Sequence, residues 1–174
     1  MIGRRCGDCT LCCRLLPVKE FGKRSNERCQ YQRAKGCSIY RQEGFPLSCS
    51  LWSCMWLADE STLNLDRPDR SHYVIDPSPD FIQMDTGGQQ FKIPVIQVWI
   101  DPKYPKAYED AKLQAWLAER AECYHQAALI RSSSHDAFIL FAPFFTSDGT
   151  WRRKDGTSTV EHTAEEIVKT LKLW

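Results

Sequence analysis

Thiols crowd the start of this chain: eight of its nine cysteines lie within the first 54 residues. Four are spaced Cys6-x-x-Cys9-x-x-Cys12-Cys13, and Cys29, Cys37, Cys49 and Cys54 follow. Thiolates at that density form disulfides, bind metal or carry redox chemistry. Beyond residue 54 only Cys123 remains, so the pattern is a local device and not a bias of composition.

Two features point away from disulfides. Nine is an odd number, which leaves a disulfide framework open. The segment Met1-Ile2-Gly3-Arg4-Arg5 runs into Cys6 with no apolar stretch of the kind a secretory signal carries. A cytoplasmic, reducing setting is therefore expected, and there thiols bind metal more readily than they pair.

Each Cys-x-x-Cys step lets one loop present two sulfurs to one ion, with backbone amides free to hydrogen-bond those sulfurs. Neighbouring residues point their side chains apart, so Cys12 and Cys13 are not expected to serve one tetrahedral ion. The doublet fits two centres that share a loop, or one multinuclear cluster. Eight thiolates match two four-cysteine zinc sites, or a four-cysteine iron–sulfur cluster with a structural zinc. Neither the radical-type Cys-x3-Cys-x2-Cys spacing nor the ferredoxin run is present, and spacing alone does not choose between zinc and iron.

The motifs Cys6-Gly7-Asp8-Cys9-Thr10-Leu11-Cys12-Cys13-Arg14, Gly36-Cys37-Ser38-Ile39-Tyr40, Cys49 and Cys54-Met55-Trp56 resemble the bacterial YkgJ-type "CxxCxxCC" proteins. Those are described as zinc- or iron-chelating domains. The resemblance covers about residues 6–57 and implies metal chelation by the matching cysteines, with no defined reaction. A related cluster in flagellin lysine methylases looks like an iron–sulfur site. Where the family usually has Arg-Pro-x-x-Cys-Arg, this chain reads Phe45-Pro46-Leu47-Ser48-Cys49-Ser50, so any role of those two arginines does not carry over. Arg67-Pro68-Asp69-Arg70 resembles a segment that follows the cluster in longer members.

The elements that must hold these sulfurs change character along the chain. Residues 1–58 read as an irregular, metal-stapled module whose aliphatics (Leu11, Leu15, Leu16, Val18, Ile39, Leu47, Leu51) are scattered. So short a segment needs a staple, which metal thiolates would supply. Residues 59–174 read as an α+β domain packed against it, with a small, mostly antiparallel sheet of four to six strands and two main helices.

A strand is expected at His72–Ile75, ended by the turn signals Asp76-Pro77-Ser78-Pro79. Phe81–Met84 and Phe91–Ile100 then form a hairpin about Asp85-Thr86-Gly87-Gly88. Pro94 should force a bulge or an edge, or mark where pairing stops. A helix is expected from Pro105 to about Glu122, burying Leu113, Trp116, Leu117 and Tyr124 and leaving Glu109, Lys112, Glu119 and Arg120 to solvent. Strands follow at Ala127–Ile130 and Ala137–Phe141, then turn-bounded edge structure around Trp151-Arg152-Arg153-Lys154. A last helix starts at Thr163, with a capping box closing on Glu166.

Charge excludes some functions. Lysine and arginine number 23 against 22 acids, so no overall field selects nucleic acid or acidic lipid. Residues 1–58 hold ten Lys/Arg against four acids, a surplus that would offset a negative thiolate–metal centre. No apolar run is long enough to span a membrane.

The lesser signals read as structure. Trp52 and Trp56 straddle Cys54 and should shield the metal site, while Tyr31 and Tyr40 pack. Cys123 reads as a small buried hydrophobe. His72, His135 and His162 are isolated, and Ser132-Ser133-Ser134-His135-Asp136 is a polar loop, not a nucleophile elbow. Walker, dinucleotide and His-Glu-x-x-His motifs are missing.

The expected protein is thus a metal-binding one whose ligands are Cys6, Cys9, Cys12, Cys13, Cys29, Cys37, Cys49 and Cys54. Three roles compete: a structural or partner-binding zinc centre, with a protein partner met through the α+β half; an iron–sulfur redox protein or enzyme; and metal trafficking.

Overall fold

The computed structural model describes residues 3–86, 89–141, 144–145 and 151–152. In chain order, the cysteine-bearing segment forms helix α1 (Leu11–Leu15), a 3-10 turn at Lys19–Phe21, a small hairpin of β1 (Gln32–Arg33) and β2 (Gly36–Cys37), and helices α2 (Leu47–Leu51) and α3 (Met55–Ala58). Helix α4 (Pro68–Ser71) follows. The second half contains β3 (Tyr73–Thr86), β4 (Gln89–Ile100), helix α5 (Ala111–Tyr124), β5 (Ala127–Arg131) and β6 (Ala137–Leu140). A separate short pair joins β7 (Phe144–Phe145) to β8 (Trp151–Arg152).

Strands β3 to β6 form one mixed sheet in sequence order: β4 and β5 run parallel, and the other two pairings are antiparallel. The chain is therefore α+β. Parallel neighbours need a crossover, and α5 lies on it. Asp110 caps that helix, its carboxylate accepting the Leu113 amide at 2.8 Å. The helix thus begins six residues after Pro105, with a 3-10 turn at Ala107–Glu109 between them. Leu113, Trp116, Leu117 and Ala121 are buried against Ile96, Val98, Ile100, Ala128 and Ile130. Tyr124, expected on this face, is exposed. Arg120, expected in solvent, lies over the rings of Trp116 and Tyr124 and donates to Ser61 at 2.6 Å.

Strand β3 runs straight through the expected turn at Asp76–Pro79. The reason is its place at the sheet edge: the register with β4 slips between Asp76 and Asp80, so Pro77 and Pro79 sit where no ladder amide is required. Pro94 lies one residue before the first β4–β5 pair, Val95 with Ala127, so it marks the point where that pairing stops. The helix expected from Thr163 and the turns expected on either side of Trp151–Lys154 lie outside the described residues.

The other face of β3 and β4 receives the cysteine-bearing segment. Leu11, Leu15, Cys9 and Cys54 are buried together with Val74 and Trp99 of the sheet. Polar ties reinforce the contact: Arg14 pairs with the buried carboxylate of Asp101, Trp52 donates to Asp76 at 2.8 Å, and Asn26 donates to the Ser132 carbonyl at 2.7 Å. Residues 3–58 therefore have a small apolar core, but one that closes only against the sheet. Leu47 and Leu51 take no part in it and are exposed. Among the described residues no helix is long and apolar enough to cross a membrane.

Candidate metal centre

All nine cysteines are free thiols. Cys6 and Cys9 flank a turn in which the Cys9 amide donates to the Cys6 carbonyl at 3.0 Å. Gly7, inside that turn, has φ +58, and a Cβ there would stand 3.4 Å from the Arg67 guanidinium. Arg67 reaches over the turn to Asp8 at 2.8 Å while holding Asp69 at 2.6 and 2.7 Å. The mutual support of that pair raises the arginine and lowers the Asp69 carboxyl. The Arg67–Arg70 segment is thus clamped onto the first cysteine loop.

Cys12 and Cys13 lie in α1. Cys54 caps α3, and Cys49 sits within α2. Cys29 follows the loop from the 3-10 turn, its amide donating to the Cys13 carbonyl at 3.2 Å. Cys37 closes the small hairpin opposite Gln32. Cys9 and Cys54 are buried, Cys6 is exposed, and Cys12, Cys13, Cys29, Cys37 and Cys49 are half-buried.

The sulfurs interact in pairs. The Cys6 thiol is pushed far up as the donor of a hydrogen bond to Cys9, with burial and the charge of Cys9 adding to it. Cys9 is lowered to about 7 as the acceptor, helped by the amides of Leu11 and Asp69 and opposed by burial. Cys12 and Cys13 repeat the arrangement: Cys12 donates and is raised, while Cys13 accepts and is lowered to about 7. Such pairs titrate jointly, sharing one proton between two sulfurs.

Burial raises Cys54, although the amides of Leu57 and Trp56 at the start of α3 favour its thiolate. Burial is also the main cause of the upward shift at Cys49.

A lysine completes the electrostatics. Lys23 is buried, and its ammonium donates to the carbonyls of Arg14 (3.2 Å), Arg24 (3.1 Å) and Leu16. Burial lowers its pKa, while the nearby thiols of Cys29, Cys13 and Cys12 work the other way. Its charge helps to hold Cys13 down. Among the described residues, no group of three or more His, Cys, Asp or Glu side chains is arranged to hold a metal ion as it stands. The chemistry of the donors nevertheless fits one: eight soft sulfurs on one short segment, backbone amides that favour thiolate at Cys9 and Cys54, and a buried cation that favours thiolate at Cys13.

Trp52 and Trp56 pack against the Cys9–Cys54 cluster, and Trp56 also carries the Arg4 guanidinium over its ring. Tyr31 packs on Phe21 with ring centroids 5.0 Å apart. Tyr40 meets Phe45 edge-on but remains exposed, so it is only partly a packing residue. Cys123 is a correction: it lies on the solvent side of α5 and is exposed, because the buried stripe runs through Leu113, Leu117 and Ala121.

Reading the sequence did not single out Arg4 or Lys23 as parts of this site, and it noted Arg67 and Asp69 only within a segment that follows the cluster, with no role. For three of these the partners are remote, since Arg4 bonds Thr62, Arg67 bonds Asp8, and the Asp69 amide reaches Cys9. A cleft of about 600 Å3 between Pro17–Glu27 and Ser134–His135 is lined by no cysteine. Comparisons with family models, curated proteins and solved structures return no match for this chain.

Proposed function

We propose that this is a metal-binding protein of the YkgJ type, whose cysteines Cys6, Cys9, Cys12, Cys13, Cys29, Cys37, Cys49 and Cys54 hold zinc, as two four-cysteine sites. The observation that carries the reading is that all eight thiols of this short segment are free, with Cys9 and Cys54 buried in one cluster and Cys12 packed against it. A metal ion binds thiolates, and thiols gathered at such density on one segment are donors for it. Bound zinc would supply a tetrahedral cross-link and no redox chemistry.

In this reading the centre is structural. It fixes helices of four or five residues that do not persist by themselves, and the α+β half presents the surface that a protein partner meets. The alternative is an iron–sulfur centre. Amides directed at Cys9 and Cys54, and tryptophans packed beside them, are the kind of surroundings that tune such a cluster.

Elemental analysis and a visible absorption spectrum of anaerobically purified protein test the reading. About two zinc ions per chain without a visible band support it. Iron with matching sulfide and a brown colour replaces zinc by the cluster. Neither metal, in protein that stays reduced, removes the proposal. Cys123→Ser should leave metal content unchanged, whereas Cys9→Ser should lower it.

A further inference from the structure

We infer that the cysteine-bearing segment has a further role on its outer surface: Arg24, Arg28, Arg33, Lys35 and Arg41 form a docking face for a single strand of nucleic acid, held by its phosphates. The inference concerns the outside of the segment and does not depend on which metal the sulfurs hold.

Residues 1–58 contain ten Lys/Arg and four acids. From the sequence, that surplus would offset a thiolate–metal centre, but the structure sends most of it elsewhere. Only three of the cations turn inward, and each is taken up there. Arg4 is held by the carbonyls of Trp56, Thr62 and Leu63, Arg14 by Asp101, and Lys23 by three carbonyls. The other seven are all exposed, and none of them pairs with a carboxylate among the described residues. Three of the four acids are occupied by other groups. Asp8 is held by Arg67 at 2.8 Å, Glu20 accepts from the amide and the hydroxyl of Ser48 at 2.9 Å, and Glu27 accepts the Arg24 amide at 2.9 Å. The exposed charge is therefore left for something outside the chain to neutralise.

Five of the seven lie between residues 24 and 41, and backbone bonds gather them. Arg28 and Arg33 both donate to the Gln32 carbonyl, at 3.5 and 3.0 Å, and Arg33 also reaches the Gln30 carbonyl at 2.7 Å. Two guanidiniums are thus held at one oxygen. Like charges so placed repel, a cost that a polyanion removes. Lys35 stands in the turn of the same hairpin, between the paired residues Arg33 and Gly36. Ser38 donates to the Tyr31 carbonyl from its amide (2.9 Å) and its hydroxyl (3.2 Å), which folds Arg41 back toward the hairpin. Arg24 enters from the turn closed by Glu27, the residue before Arg28.

The chemistry of the face selects the partner. Four of the five cations are arginines, whose planar array of N–H groups fits phosphate. An acidic protein scatters its carboxylates among other side chains, whereas a nucleic-acid strand carries a charge at every nucleotide. A face of one sign matches the strand. Among the described residues of this segment no helix exceeds five residues, so none can lie along a major groove. The contact is to the phosphates of a single strand and not to base edges in a duplex.

The test is fluorescence anisotropy of a labelled single-stranded RNA of about 16 nucleotides, the upper length for one small binding module. The full, reduced chain is titrated with its metal in place at salt from about 50 to 200 mM. Binding is expected, and it should weaken as salt rises, by about 0.7 in the logarithmic slope for each cation that meets a phosphate. Arg28→Gln/Arg33→Gln should lower the affinity and flatten that slope by about 1.4, twice the single-cation increment. Lys103→Gln/Lys106→Gln removes the same charge from the exposed loop before α5 and should change neither.

Arg28 adjoins Cys29, so Arg24→Gln/Arg41→Gln serves as a second variant, with the same flattening expected in a chain that keeps its metal content. No binding at the lowest salt overturns the inference. An equal loss in the Lys103/Lys106 variant overturns it too, since net charge and not this face would be at work. Polyglutamate that displaces the labelled strand as well as unlabelled RNA of equal charge assigns the face to an acidic protein instead. Binding is read directly in each case, so loss of the metal reading leaves these outcomes unchanged.

Discussion

The two halves of this molecule reach order by different means. In the sheet, Val98, Leu129 and Ile130 are fully buried, and α5 adds Leu113 and Leu117, all apolar side chains that need no ligand. In the cysteine-bearing segment the helices are four or five residues long, and the buried apolar residues are few. That core is completed by two residues borrowed from the sheet, Val74 and Trp99. The contrast shows how order is sustained where apolar area runs short. Polar and charged side chains then bind the backbone together. Arg4 holds the carbonyls of Trp56, Thr62 and Leu63, Lys23 gathers three carbonyls, and Arg14 reaches Asp101.

Metal removal is the strongest way to break this comparison. For structural zinc, binding and folding are coupled by about 10–16 kcal/mol in isolated peptides. Chelation of the reduced, full chain should therefore strip hydrogen-exchange protection from α1, α2 and α3 while β4 and β5 keep theirs. Equal loss in both regions would make them one cooperative unit, and the contrast would fail.

A core truncation probes the other side. Leu129→Ala removes a fully buried side chain from the middle of the sheet and should cost about 2–5 kcal/mol in denaturant unfolding. Metal content of the folded variant should stay at the wild-type value. A fall in metal content without a fall in stability would mean that the sheet shapes the thiol geometry directly.

The parts of this architecture that could be read from the sequence are those governed by local periodicity. Phe91–Ile100 reads as one arm of a hairpin, and within it Val95, Ile96, Val98, Trp99 and Ile100 are buried on both faces of the sheet. Leu113, Trp116 and Leu117 recur at helical spacing and form the buried stripe of α5. What the sequence hides is set by distance. Nothing near Arg67 announces Asp8, and nothing near Arg14 announces Asp101, 87 residues away. Pro77 and Pro79 mislead for a related reason, since a turn and an edge-strand irregularity tolerate the same residues. The eight cysteines were visible as a set, but which of them come near one another depends on how their separate turns and short helices pack.

The Arg14–Asp101 pair is the joint between the two regions, so it sharpens the comparison at smaller cost. Asp101 is 2% exposed, and in addition to Arg14 it accepts the Lys103 amide at 3.1 Å. Arg14→Ala leaves a buried carboxylate without its cation, a loss of roughly 3 kcal/mol. Adding Asp101→Asn to that variant should recover part of it, because the stranded charge is gone. No recovery in the double variant would mean that Arg14 acts by packing along α1 and not by its charge.

The mildest effect is a pH dependence confined to the metal-free cysteine segment. Cys9 and Cys13 are thiolates down to about 7, held so chiefly by hydrogen bonds from Cys6 and Cys12, with Lys23 assisting at Cys13. An unfolded thiol keeps its proton up to roughly pH 8.5. Between those values the unfolded chain binds protons that the folded chain does not, so stability rises with pH. Above that range the order reverses, because Cys6 and Cys12 stay protonated in the fold after the unfolded chain has lost its protons. The melting temperature of the metal-free chain, followed from roughly pH 6 to pH 10 around the thiol range, should therefore pass through a maximum near the ordinary thiol pKa. A steady rise to the alkaline end would show that Cys6 and Cys12 are not donors, and the pairing of sulfurs across each couple would be wrong. Metal should abolish the maximum, since bound thiolates have no proton left to share.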